Sequence, residues 1–295
     1  MSTWPKQTIA EIADGVYTIV HGNGEVGVSN ASFILEQDRA FVIDTMTFPE
    51  MATRMANEIA RHGACVETVL NTHHHIDHMG GNKVFAEAHI MAHPLSIRAL
   101  QKLGLPVAVY DRLMPQFKDR FAELELLIPA PLSEHTTLPQ GGELLAFTPA
   151  HTPADVAVWF PQTRVLITGD ICFKGVVPLA VNSLISGWIE ALNALIALEP
   201  AVVVPGHGAV GTLSDLRVLR AYFTDLQHLG REVVGKNLSL EDALAQFDPG
   251  PLATWIESDR HTVNLERVIQ EIQGEISRAD LSAMPRSSIK RRSGE

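Results

Sequence analysis

A chain of 295 residues with 46% apolar side chains is long enough to bury a large core as one domain with additions. Its formal charge of −11 argues against a nucleic-acid substrate, because binders of the phosphate backbone need a basic face. Two cysteines exclude a disulfide framework. No run of roughly 18 apolar residues is present to cross a membrane and the first residues lack a charged start followed by an apolar stretch, so the expected location is the cytoplasm.

Along the chain, residues 16–20, 32–36 and 41–44 read as strands. The stretch 21–30 holds Gly22, Gly24 and Gly27 and reads either as a mobile hairpin, with Val26 placed to meet a substrate, or equally well as an ordinary flexible loop. Residues 49–62 predict a helix, since Met51, Met55 and Ile59 repeat at spacing four and Gly63 is a natural stop. Cys65 reads as a small buried hydrophobe ahead of the next strand. The apolar run 66–70 leads into Thr72-His73-His74-His75-Ile76-Asp77-His78, and Gly80-Gly81 then lets the backbone bend closely before the helical-looking 82–86. After a strand at 88–92 the pattern turns helical, with Leu95, Leu100 and Leu103 before Gly104, then Tyr110, Leu113, Phe117, Phe121 and Leu124. This insert, about 94–128, falls between two groups of candidate ligands and is expected beside the site. Met114, Phe117 and Phe121 either line an apolar substrate pocket there or pack the insert down, and packing is the simpler reading. His151 stands just past a strand at 143–147, Asp170 ends the run 165–170, and His207 follows the strand 202–204. Cys172 is close enough to Asp170 to lie near the site. Lys174 is the nearest following cation, a candidate for holding a substrate carboxylate against the plainer reading of a surface lysine. A helix at 186–198 carries Trp188, expected at the pocket rim. The catalytic domain is read as 10–211, the helical stretches 213–234, 240–247 and 251–272 as a C-terminal addition over 212–281, and 282–295 as a disordered tail.

The cluster at 73–78 packs four imidazoles and a carboxylate into six positions. Alternate residues of an extended chain share a face, so His73 and His75 aim the same way and His74 the other, into surrounding structure or solvent. A lone histidine here is an ordinary polar loop residue, Asp170 alone is as well explained as a helix cap, and His207 alone as part of a Gly-Pro turn. As a set, each stands at the end of a buried-type strand, the pattern of strand ends converging on one edge of a sandwich, where α/β folds place their sites. Histidine and carboxylate at this spacing point to metal.

On these residues the chain resembles the metallo-β-lactamase-fold superfamily of metallohydrolases. The resemblance covers about 15–211 and rests on Ala40-Phe41-Val42-Ile43-Asp44-Thr45, the 73–78 block, His151-Thr152-Pro153, Thr168-Gly169-Asp170 and Pro205-Gly206-His207-Gly208, in that order. It implies an α/β fold, a four-layer αββα sandwich with metals at one edge. It further implies His73, His75 and His151 on a first ion, Asp77, His78 and His207 on a second, and Asp170 bridging, with Asp77 also orienting the attacking hydroxide. The 21–30 loop falls where β-lactamases carry a substrate-covering flap. Ala150 to Pro161 is similar to the subclass B1 β-lactamases around their third histidine. Aspartate at 170, where those enzymes carry cysteine, is the pattern of the glyoxalase-II, lactonase and general hydrolase branches.

The chemistry follows from the donors. Three neutral imidazoles leave a zinc its full charge and an open position, so that bound water ionises near neutral pH and a metal-bound hydroxide is the expected nucleophile. A second ion would polarise the substrate oxygen, and a carboxylate bridge would hold the pair about 3.5–4 Å apart. The cofactor expectation is two divalent ions, zinc first, with iron or manganese also suited to these donors. Asp44 reads as an orienter of a ligand histidine. The function read from the sequence is a dinuclear hydrolase opening an ester, lactone, thioester or amide bond of a small metabolite. β-Lactamase activity, a mononuclear iron thiol or persulfide dioxygenase and a non-catalytic metal-binding accessory protein are the competitors; the last two would leave part of the ligand set unused, whereas all of it is present. The expected partner is a small molecule, with no nucleic acid and no membrane; a homodimer is the one assembly considered.

Overall fold

The computed structural model describes residues 4–133 and 136–283. Seven strands pair side by side in sequence order: β1 (Gln7–Ala13), β2 (Val16–His21), β3 (Ala31–Glu36), β4 (Arg39–Ile43), β5 (Cys65–Asn71), β6 (His89–Ala92) and β7 (Ala130–Pro131). β1 to β4 run antiparallel and β4 to β7 parallel. A second sheet holds β8 (Glu143–Phe147), β9 (Asp155–Phe160), β10 (Val165–Ile167) and, past β11 (Phe173–Lys174), β12 (Val202–Val204), in the order β12-β10-β9-β8. β11 pairs in parallel with β13 (His207–Gly208).

The two-residue period of the strands sorts side chains into three cores. In β4, Ala40 and Val42 face outward to α1 (Pro49–Arg61), whose Met51, Met55 and Ile59 complete that core. Phe41 and Ile43 of the same strand face the second sheet and meet Val156 and Val158 of β9. α2 (Ile76–Met79) is one short turn; α3 (Pro94–Leu103) and α4 (Val107–Leu113) belong to the insert, which extends the outer layer. On the far side, Ala157 and Trp159 of β9 face α5 (Ile185–Ala197) and α6 (Leu213–Lys236). The layers are therefore helix, sheet, sheet, helix, as the resemblance implies. α7 (Leu240–Ala245), α8 (Arg260–Ile272) and α9 (Arg278–Ala283) follow, and Leu265 and Val268 of α8 pack into the same core as α5 and α6. α6 starts on a reciprocal cap between Thr212 and Asp215 and stops at Asn237 in the left-handed conformation.

Several expectations need correction. β1 lies ahead of the first strand read from the sequence. Cys65 opens β5 at an exposed position and is no core residue. The insert expected over 94–128 is helical only in pieces: α3 ends before Gly104, with φ of +59°, and past α4 short 3-10 turns carry the chain through Pro115–Phe117 and Phe121–Glu123. The stretch 251–272 is likewise broken, because Glu257 takes φ of +59° and turns the chain before α8 begins. The 21–30 loop is no loose hairpin. The Asn30 amide donates to the carbonyls of Pro205 and Gly208 at 2.9 and 2.8 Å, the Thr47 hydroxyl donates to Gly27 O at 2.5 Å, and Val28, Ser29 and Asn30 are buried. Of the tail expected over 282–295, residues 284–295 lie outside the described part, and α9 runs to Ala283.

Candidate metal centre

β5 runs out at Asn71, and its last turn is fastened to the neighbouring strand by one carboxylate. Asp44 Oδ1 accepts the Thr72 backbone N–H at 2.8 Å, and its Oδ2 accepts the Thr72 hydroxyl at 2.8 Å. The same Oδ2 lies 2.7 Å from His78 Nδ1, and Thr72 Oγ1 lies 3.0 Å from His73 Nδ1. With Nδ1 as the protonated nitrogen in both rings, Asp44 and Thr72 leave Nε2 of each histidine bare and directed inward. Asp44 thus has the orienting role expected of it, and serves one histidine of each ligand set. Past His78 the chain must pass under the loop after β4: a Cβ on Gly80 would sit 1.9 Å from Thr47 O, so only glycine fits.

The remaining donors are pinned in the same way. His75 Nε2 is 3.0 Å from Asn182 Oδ1, which leaves Nδ1 to face His151 Nε2 at 3.1 Å. His207 Nδ1 donates to Gly24 O at 3.0 Å, and its ring stacks on Phe173 at 5.2 Å. The 21–30 loop is thereby part of the site's frame. Ser29 Oγ adds a hydrogen bond to Asp77 O. His151 meets the edge of Trp188 at 4.8 Å, and Asp155 holds its loop by accepting from Thr152 N and Oγ1 at 2.8 and 2.9 Å.

Asp170 stands at the centre. Its Oδ2 is 3.8 Å from His73 Nε2, 3.3 Å from His151 Nε2 and 3.5 Å from His207 Nε2, while Oδ1 is 3.0 Å from His78 Nε2. Asp77 Oδ2 is 3.2 Å from His207 Nε2. Gly206 makes room for this, since a Cβ there would lie 1.9 Å from Asp170 Oδ1. Two groups result, His73, His75, His151 with Asp170 and Asp77, His78 with His207; within each, the donor atoms lie within 4.8 Å of one another. His73 Nε2, His78 Nε2 and Asp170 Oδ1 are buried without a hydrogen-bond partner. Such stranded donors are costly unless a cation satisfies them, so the residues fit metal ions.

The electrostatics differ between the groups. Burial, with the charge of neighbouring imidazoles, holds His73 well below the usual histidine range and His75 down at about 4. Burial also opposes protonation of His78 and His207, but Asp170, with Asp44 at His78 and Asp77 at His207, outweighs it and raises both. Burial would raise Asp77 and Asp170, and the imidazoles beside them instead pull both well below the carboxylate range.

A cavity of about 380 Å³ opens over this cluster. Val26 lines it. The other three residues proposed for substrate contact do not. Phe117 is buried against Phe48 at 5.2 Å and Trp4 at 5.8 Å, packing the insert onto α1's layer. Trp188 is fully buried behind His151 with its indole N–H on Ile171 O at 2.9 Å, so it supports a donor and touches no rim. Lys174 turns away to Asp215 Oδ2 and Val210 O, both at 3.3 Å. Lys174→Ala is therefore expected to leave KM for any substrate within about twofold of native, a partly exposed pair being worth at most about 1 kcal/mol; a KM raised tenfold would return Lys174 to the pocket. His74, read as facing away, is buried, with both ring nitrogens unpartnered, and contributes to the cavity wall. Sequence reading missed Asn182 and Arg260, which both line the cavity. The signal for Arg260 was available: Arg260, Asn264 and Arg267 repeat at helical spacing on the face of α8 that is buried.

With this geometry in place, comparison with known proteins assigns the class. The chain belongs to the metallo-β-lactamase superfamily, whose family model matches residues 24–207. It is similar to the 2,4-dinitroanisole O-demethylase subunit alpha of Nocardioides sp. (strain JS1661), 26% identical over 70% of this chain and 57% of that one. It is also similar to the hydroxyacylglutathione hydrolase of Nostoc punctiforme, 28% identical over 48% of each chain. The chain thus spans about half the length of the curated relatives it matches. Among solved structures, the sec-alkylsulfatase Pisa1 from Pseudomonas sp. superposes with a TM-score of 0.67 at 18% identity, over 92% of this chain and 51% of that one. The β-lactamase FIM-1 from Pseudomonas aeruginosa gives 0.59 at 16%, over 76% and 97%. At these identities the structures speak for the fold. No helix among the described residues is long and apolar enough to cross a membrane.

Proposed function

We propose that this chain is a dinuclear metal-dependent hydrolase that opens an ester, lactone, thioester or amide bond in a small, partly apolar metabolite. The observation that carries this reading is Asp170, a single buried carboxylate with one oxygen against His78 and the other against His73, His151 and His207. In this reading His73, His75 and His151 would hold a first ion and Asp77, His78 and His207 a second, with Asp170 placed between the two groups. Divalent ions, zinc by the donor set, supply Lewis acidity toward water and toward the substrate oxygen. Asp77 lines the cavity and would orient the attacking water by accepting its hydrogen bond. The insert seats the apolar part of the substrate against Leu100, Leu103 and Met114 and keeps bulk water from the reacting bond. Hydroxyacylglutathione hydrolases among the relatives support a hydrolase. Aspartate at 170 in place of cysteine weighs against a main activity on β-lactams.

Turnover of a lactone, a glutathione thioester, an aryl ester and a β-lactam, measured alongside elemental metal content, tests the proposal. One of the first three substrates is expected to exceed the β-lactam; fully metallated protein idle on those three, or fastest on the β-lactam, would overturn it.

The pKa directions add a pH prediction. In metal-free protein His78 and His207 take up protons at a higher pH than an ordinary histidine, so protons compete with an ion at their site as pH falls through neutrality. His75 stays neutral down to about 4 and His73 lower still, so the first site resists acid further. Dialysis at steps from about pH 8 to 5, followed by elemental analysis, should show one ion leaving before the other, with the second-site ion lost first. Simultaneous loss of both, or retention of both to pH 5, would contradict this order.

A further inference from the structure

The cavity wall away from the metal-ligating cluster is apolar where the insert supplies it, through Leu100, Leu103, Val109, Leu113 and Met114. Its polar members are the neutral imidazole of His74, which is both donor and acceptor, and several hydrogen-bond donors. Asn182 has its carbonyl oxygen engaged with His75, which leaves its amide N–H groups; Tyr110 offers a hydroxyl; Arg112 and Arg260 are cations. Among the described residues no carboxylate lines this cavity apart from Asp77 and Asp170. Its two guanidiniums thus match the two carboxylates in number, in a chain of net charge −11. Arg112 is exposed, whereas Arg260 is buried at 6% exposure.

Arg260 is also held still. Its Nη1 donates to Val177 O at 2.8 Å and its Nη2 pairs with Glu257 Oε2, while Glu257 Oε1 accepts the Val26 backbone N–H at 2.7 Å. These partners tie the start of α8 to the 21–30 loop and fix the guanidinium in the wall, with more N–H donors than the two contacts use. A fixed fork loses little freedom on meeting an oxyanion. An apolar wall beside a buried, fixed cation and the partly buried donors of Asn182 and Tyr110 complements a molecule with a hydrocarbon part and an anionic oxygen group.

We infer that Arg260 anchors the substrate's anionic group and that the substrates of this site are apolar organic anions, a carboxylate, sulfate or similar oxyanion carried on a hydrocarbon frame. This rests on reading the cavity as the substrate pocket of the hydrolase proposed above. Arg260 sets specificity and takes no part in bond cleavage.

Calorimetric binding of octane-1-sulfonate, octan-1-ol and octyltrimethylammonium to the metal-loaded full chain tests this without turnover, since none of the probes can be hydrolysed at this site. The sulfonate is expected to bind at least about tenfold tighter than the alcohol, and the ammonium more weakly than either. Arg260→Gln should bring the sulfonate down to the affinity of the alcohol and leave the alcohol unchanged. Arg260→Lys should recover part of the preference, because it keeps the charge and loses the fork. A sulfonate preference that survives intact in Arg260→Gln places the anion on the metal ions or the surface and overturns the proposal. Should that variant fail to fold, native protein alone decides, and equal affinity for sulfonate and alcohol overturns it. Probe binding is read whether or not any bond is cleaved, so a failed substrate panel and a failed anchor are separate results.

Discussion

Asp170→Asn is expected to lower turnover at least about a hundredfold, the upper end of the cost of a disturbed metal shell. The carboxylate lies within ion-pair reach of four imidazoles, and both of its oxygens are turned to them. An amide keeps the size of the side chain and leaves a single acceptor, so it cannot span two ions. Asp170→Cys should fare no better, because a thiolate in that place serves one ion and leaves the other without a shared ligand. Initial rates on whichever ester or lactone the native protein prefers, with metal content measured on the same samples, check both variants. A rate within threefold of native for Asp170→Asn would show that the carboxylate does not bridge.

The second large effect is expected at Asp44, which is removed from the cavity. Its carboxylate accepts from Thr72 twice and lies 2.7 Å from His78 Nδ1, and Thr72 in turn meets His73. Asp44→Asn offers His78 an amide that can no longer balance the ring's charge, and frees it to choose the wrong tautomer. Metal affinity should fall by about ten- to a hundredfold, and at both sites, because one histidine of each set depends on this carboxylate. Competition against a chromophoric chelator measures this. A loss confined to one of two ions would mean that Thr72 alone suffices for His73.

Most of the centre was legible because its chemistry sits in strand ends. His73 and His75 lie in the bend just past β5, which ends at Asn71, and the gaps to His151, Asp170 and His207 each span one or more whole elements, so the convergence follows from where the strands end. The layers were readable for the same reason: the alternation of Ala40 and Val42 with Phe41 and Ile43 gives two buried faces. What sequence could not supply was the direction of long side chains after the backbone turns. Lys174 is near Asp170 in sequence, but Asp215 at the start of α6 draws it away. Trp188 lies on the buried face of α5 and backs His151. Arg260 is 90 residues beyond Asp170 and reaches the cavity because Glu257 breaks the expected helix. The glycines of 21–30 suggested motion, whereas Gly24 lets its carbonyl approach His207 and the loop becomes part of the frame.

The central claim is that two complete ligand sets act as a pair, and metal counting tests it most directly. Native protein purified without chelator and analysed by elemental mass spectrometry should carry about two ions per chain, and His207→Ala, which removes a donor from the second set alone, should retain one. A single tightly held iron in the native protein, unchanged in His207→Ala, would contradict the dinuclear account.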